Sequence, residues 1–178
     1  MADASHQQVN GPVGNGNLFP LQRTPGLIKY ALDLSAASST ATWAPSEAVL
    51  GALGLSGKVT AIGYYAATAI DNNSGGQLTF TAGIGGDPDY FVAAVDIGET
   101  IAANVGKSTV GASSGLTPLS WATTADTVAE RTFAAGTPTS PTIAIGHIDG
   151  GATGTLILFV QCEYTANNGS ILGNAGLV

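Results

Sequence analysis

Charge is what this sequence has least of. Its 178 residues include five Lys and Arg and 12 Asp and Glu, a charged share of 10% with a formal net charge of −7. Ordinary soluble domains carry about 25%. The cations Arg23, Lys29, Lys58, Lys107 and Arg131 stand singly along the chain. No cluster exists to neutralise phosphates, which argues against nucleic acid as a partner. No basic amphipathic segment exists either, so a membrane surface is not an expected partner. A surface so poor in charge gives little protection against association. Much of it is expected to be covered by other subunits. The plainer reading is a Gly/Ala/Thr-rich β protein that is merely weakly charged.

Other absences narrow the field. One cysteine, Cys162, permits no internal disulfide, and its neighbours mark it as a small buried side chain. One cysteine and two distant histidines, His6 and His147, supply no zinc-ligand spacing. No apolar run approaches the roughly 18 residues of a membrane span. The opening M-A-D-A-S-H-Q-Q-V-N-G-P lacks the basic and apolar regions of a secretory signal, so assembly in the cytoplasm is expected. No long amphipathic helical pattern occurs.

What is present is alternation. In residues 77–91, Q-L-T-F-T-A-G-I-G-G-D-P-D-Y-F, Leu78, Phe80, Ala82 and Ile84 share one side of an extended chain. Thr79, Thr81 and Gly83 share the other, which is the period of a half-buried strand. Gly85-Gly86-Asp87-Pro88 is expected to stop it. Residues 154–164 repeat the pattern, with Leu156, Leu158, Val160, Cys162 and Tyr164 on one face. The other face holds Thr155, Ile157 and Phe159 before turning polar at Gln161 and Glu163. A wet face should be polar throughout, so Ile157 and Phe159 are expected to be covered, by a loop of the same chain or by a partner.

Residues 27–34 form a first expected strand, with Ile28, Tyr30, Leu32 and Leu34 opposing Lys29, Ala31 and Asp33. Residues 58–70 form another, with Ile62, Tyr64, Ala66, Thr68 and Ile70 on one face. The cluster Asp71-Asn72-Asn73-Ser74-Gly75-Gly76 suggests a hairpin between 58–70 and 77–84. Ser46 is a candidate N-cap of a helical turn. Residues 92–95 read as a helical turn or more sheet, and one or two short strands are expected around Thr127-Val128. Residues 142–148 alternate with Ile143, Ile145 and His147 on one face.

These segments predict an all-β fold: a single β-sandwich of jelly-roll type spanning 28–165. An extended N-terminal arm, 1–27, is punctuated by Gly and Pro, and Leu18, Phe19 and Leu21 are its candidate anchors on a neighbour. A Gly/Asn-rich tail, 166–178, follows. Partner-binding residues are therefore expected at Leu18, Phe19, Leu21, Ile157 and Phe159.

Chemistry is hard to find. G-x-S-x-G is absent and Cys162 lies mid-strand, so a nucleophile paired with His147 has no support in the flanks. Asp87 and Asp89 flank Pro88; turn formation by their side chains is the expected role, with a calcium site as the alternative. Gly83-x-Gly85-Gly86 precedes no helix and is not a phosphate loop. Tyr64, Tyr65, Tyr90, Trp43 and Trp121 suit a β core or a sugar-binding platform. No enzyme activity, cofactor or metal is expected.

The turn T-x-x-x-G-I-G-G-D-x-D-Y-F with Ala-Ala beyond it, and the strand G-x-L-x-x-x-V-x-x-E-Y, resemble a group of small tailed-phage virion proteins. These are head decoration, cement or minor capsid proteins. The matching stretches are 59–70, 77–94 and 142–164, within a general plan covering 28–165. The resemblance implies a jelly-roll sandwich without enzymatic activity on the exterior of the virion, commonly a homotrimer bracing the major capsid protein. A carbohydrate- or receptor-binding module of a phage tail or fibre is the alternative.

Overall fold

The computed structural model describes residues 24–37, 39–44, 55–73, 76–113, 115–134 and 141–166. The strands are β1 (Thr24–Asp33), β2 (Ser39–Trp43), β3 (Leu55–Ala66), β4 (Ile70–Asp71), β5 (Leu78–Ile84) and β6 (Asp87–Gly98). They continue with β7 (Thr100–Ile101), β8 (Gly106–Ser108), β9 (Gly111–Ala112), β10 (Thr132–Phe133), β11 (Pro141–Ile148) and β12 (Thr155–Ala166). One sheet runs β1-β12-β3-β8-β9, with β10 also on β3; the other runs β2-β11-β5-β6. A small β4-β7 ladder closes one end. Every pairing is antiparallel. Taken in chain order, β1, β2, β3, β5, β6, β8, β11 and β12 form sheets of order 1-8-3-6 and 2-7-4-5. That is the jelly-roll arrangement, and the expected all-β sandwich is observed.

Alternation explains the core. Leu156, Leu158, Val160 and Cys162 of β12 have no exposed surface. Across the sandwich, Ile143 and Ile145 of β11 and Leu78, Phe80 and Ala82 of β5 are equally buried. Each large apolar side chain so placed contributes roughly 1.5–3 kcal/mol. The Tyr64 and Phe80 rings meet between the sheets at 5.5 Å. Burial pushes the Tyr64 phenol up to about 12, so this ring stays neutral throughout the ordinary pH range. Glycine serves the packing at Gly63, where an added Cβ would collide with the Lys107 carbonyl of β8.

Several expectations are corrected. Residues 58–70 and 77–84 do not form a hairpin. β3 pairs with β12, β8 and β10, whereas β5 pairs with β11 and β6. Both strands carry inward apolar faces, and stacking them across the core buries more than laying them side by side. The segment between them therefore crosses from one sheet to the other. The hairpin actually present joins β5 to β6 through Gly85-Gly86, with Gly86 at φ +92°. The strand stops after Ile84 as expected, at Gly85-Gly86, but Pro88 lies inside the next strand, β6, which is an edge strand where a missing N–H is tolerated. Residues 92–95 continue the sheet. Within 121–133 one short strand is present, β10 at Thr132–Phe133, but around Thr127 itself there is a turn, preceded by a 3-10 helix at Thr123–Ala125. Thr127 and Glu130 bond reciprocally, each accepting the other's backbone N–H, which is capping-box geometry. β1 begins at Thr24, so 24–27 belong to the sandwich and not to the arm. β12 likewise extends to Ala166. Ser46 lies outside the described residues.

In β11 a bulge between Gly146 and Ile148 shifts the phase. His147 sits there at φ +59°, exposed, and Ile148 takes the buried position expected of it. The bulge aims the His147 carbonyl at Asn72, a fully buried polar residue. Asn72 Nδ2 donates to the carbonyls of His147 (2.8 Å) and Gly76 (2.9 Å), and Oδ1 accepts from Asp149 N–H (3.0 Å). One side chain thus ties the sheet crossing to the end of β11. Asn72→Ala strands two carbonyls and one N–H, and is expected to lower unfolding stability by about 3 kcal/mol. Urea denaturation measures this, and a loss below about 1 kcal/mol would show that water replaces the three bonds at little cost.

Candidate interaction surface

The outward positions of the first sheet are fixed by its registers. Phe159 of β12 lies between Lys29 of β1 and Gly63 of β3; Ile157 lies between Ala31 and Tyr65. Ile157 and Phe159 are half-buried, and Tyr65 beside them is too. Part of this burial comes from sheet position itself, since β12 lies between β1 and β3. Leu27, opposite Gln161, is 53% exposed and extends the apolar strip to β1. Sequence reasoning passed over Leu27, although it shares the phase of Lys29, Ala31 and Asp33 and is the apolar exception among them. Lys58 and Glu163 form an ion pair of 3.3 Å on this sheet. Half-exposed pairs of this kind contribute at most about 1 kcal/mol. The other expected anchors, Leu18, Phe19 and Leu21, lie outside the described residues.

The outer face of the second sheet is uncharged across three strands. Gly146 of β11 lies between Thr40 of β2 and Thr79 of β5, and Ala144 between Thr42 and Thr81. Thr142 and Gly83 continue the rows. Two ridges of threonine therefore flank a floor of glycine and alanine. These rows are thus short of the charges that oppose association, whereas the outward rows of the first sheet include Lys29, Asp33, Lys58 and Glu163.

The residues considered for chemistry do not converge. Cys162 is fully buried near the β10 end, and His147 is exposed at the Asn72 end. Among the described residues no group of three His, Cys, Asp or Glu side chains is placed to hold a metal. Of the aromatics, Tyr64 is buried, and Tyr65, Tyr90, Trp43 and Trp121 are half-buried. Trp121 meets Phe91 edge-on at 6.4 Å, and the Arg131 guanidinium covers it at 4.4 Å. These rings form no exposed platform.

A cleft of about 110 Å³ opens between Val59, Ile84, Tyr90, Phe91 and Phe133, with Glu130 and Arg131 at its rim. Its polar groups are engaged. Arg131 donates to the Thr127 and Asp126 carbonyls, Glu130 accepts from Thr127 N–H, and Tyr90 Oη donates to the Glu130 carbonyl. The space suits a few waters rather than a substrate. Among the described residues no helix is long and apolar enough to cross a membrane. Comparison with known proteins finds no matching family model, no similar curated protein and no similar solved structure.

Two exposed carboxyls have shifted titrations of opposite sign. The Asp87 side chain is hydrogen-bonded to that of Asp89, which raises its pKa; slight burial and the Asp89 charge act the same way, and the Asp89 backbone N–H opposes them. A carboxyl that holds its proton more tightly when folded stabilises the fold at low pH. That contribution fades as pH rises above about 4. Glu130 is lowered, first by the Thr127 backbone N–H, then by the Thr127 hydroxyl and, after a small opposing burial effect, by Arg131. Its contribution is present above about pH 4 and is lost on acidification. Melting temperature followed from acid to neutral pH separates the two. Asp87→Asn is expected to flatten the decline with rising pH, and Glu130→Gln the decline with falling pH; profiles unchanged in both variants would contradict these assignments.

Proposed function

We propose that the chain is a virion structural protein that decorates or cements the exterior of a tailed-phage head by bridging neighbouring subunits of the major capsid protein. The reading is supported first by the jelly-roll sandwich, with one broad face uncharged across three strands and an apolar strip on the other. Viral capsid proteins use this architecture, but so do lectins and other binding modules. The turn at 85–91 and the β12 strand add the resemblance described above. Nothing is catalysed in this reading; the work is burial of area between subunits. A specific contact needs about 1,200 Å² or more, and many copies on one shell add avidity. The apolar strip of Leu27, Ile157 and Phe159, together with Leu18, Phe19 and Leu21 of the arm, forms the contact. Self-association, a homotrimer in the resemblance, arranges the copies on the shell.

Cosedimentation of the purified chain with phage heads lacking it is the direct experiment. Saturable binding at a fixed number of copies per head, with a rise in the temperature at which heads rupture, is the expected result. Removal of residues 1–23, which leaves β1 whole, is expected to weaken binding without changing the melting temperature of the free protein. Heads that neither bind the chain nor carry it in intact particles would overturn the reading.

A further inference from the structure

Among the described residues the first sheet ends in a long edge with no strand beyond it. β1 pairs with β12 over ten residues without a bulge, and no described strand lies on its other side. Two observations show which backbone groups face outward. Leu34 N–H donates to the Gly154 carbonyl (3.0 Å), continuing the ladder toward β12. Thr155, opposite Asp33, turns its own groups away from β1: its carbonyl accepts from Ala67 N–H and its N–H donates to Thr68 Oγ1. Asp33 is therefore a non-bonded position of the β1–β12 ladder. By alternation, Leu27, Lys29, Ala31 and Asp33 point their N–H and C=O groups outward. None of the backbone–backbone bonds found among the described loops and turns engages Leu27, Lys29 or Ala31; the Asp33 carbonyl, at the N-cap of the 3-10 helix Leu34–Ala36, serves that helix's first turn.

The other edges are shorter or guarded. β2 has five residues and β9 two. β6 carries Pro88, and residues 122–124 strap it through Ala122 N–H to Phe91 O and Thr124 Oγ1 to Tyr90 O. β1 has Pro25 at its start and then no proline. Its one guard is Lys29, since an edge lysine opposes the pairing of like strands.

That guard is neutralised in one arrangement. We propose that a second copy of this chain pairs antiparallel along β1, about a two-fold axis through Ala31, and joins the two first sheets into one. The axis is chosen by charge. Centred at Lys29, the pair sets Lys29 against Lys29 of the other copy. Centred at Tyr30, it leaves lysine opposite alanine and aspartate opposite leucine. Centred at Ala31, each Lys29 faces an Asp33 of the other copy, twice, on the outer face. Directly opposite side chains in a ladder are near enough for such pairs to matter. Ala31 faces its own equivalent, and the outward N–H groups at 29, 31 and 33 and the carbonyls at 29 and 31 are in phase for bonding. On the inner face Tyr30, 43% exposed and stacked on Trp43 at 5.7 Å, comes opposite Leu32 of the other copy. The ring gains cover there. This contact has two-fold symmetry and is distinct from the three-fold association of the preceding section, and it needs no particle to form.

Sedimentation equilibrium of the full chain over a concentration series tests it. The wild type is expected to be a concentration-dependent dimer whose dissociation constant rises with salt. Lys29→Asp and Asp33→Lys each create two like-charge pairs and are expected to raise that constant by about tenfold or more. The double variant Lys29→Asp/Asp33→Lys restores the pairs and the dimer. Restoration separates pairing from the loss of the Asp33 cap on Ser35, which the first substitution cannot repair. Ala31→Pro removes an N–H that serves no intrachain ladder and is expected to give a monomer; a melting curve confirms that it is folded. A wild type that stays monomeric at the highest concentrations overturns the proposal. So does a trimer or other oligomer indifferent to Ala31→Pro, or a double variant no stronger than the single ones.

Discussion

The whole fold depends on β12 having no dry face to spare. Its inward row, Leu156, Leu158, Val160 and Cys162, is excluded from water completely. A row of four such side chains on one strand cannot be buried by neighbours in the same sheet, because those neighbours present their own inward rows. Only a second sheet, face to face, removes all of them from water. β1 and β3 flank β12 and extend the apolar floor; β11 and β5 supply the opposing layer. The sandwich is the geometric answer to that demand.

Stacking two sheets creates a second problem, since the chain must pass between them repeatedly and expose backbone groups each time. At one end this is solved by Asn72, whose amide replaces the missing ladder partners of His147, Gly76 and Asp149. The positive φ at His147 and the bulge around it belong to the same solution. At the other end, the Thr127–Glu130 turn and Arg131 stacked on Trp121 close the sandwich with local bonds. The apolar layers and the polar ends are thus complementary: the first supplies the driving force, and the second leaves few backbone groups without partners.

Low charge has its main consequence on the outside. Threonine, alanine and glycine leave the second sheet uncharged across three strands, and leucine, isoleucine and phenylalanine form an apolar strip among the charges of the first. Where charge does occur on an edge, as at Lys29 and Asp33, it selects a register rather than preventing contact.

Period-two alternation is local, so the sequence by itself determined that the protein is built of strands and which side chains of 78–84 and 156–162 face inward. The sequence also shows its cations standing singly and contains no G-x-S-x-G. It did not determine which strands are neighbours. Residues 58–70 and 77–84 read as a hairpin because a turn-rich segment separates them, yet the strands β3 and β5 within them face each other across the core. Nor could alternation show the slip at His147, where one extra residue exchanges the inner and outer faces. Pairing and phase are decided only when distant strands bury their faces together. The energy of that burial is shared among residues more than a hundred positions apart, such as Ile28 and Val160 in their ladder, and no short window of sequence contains it.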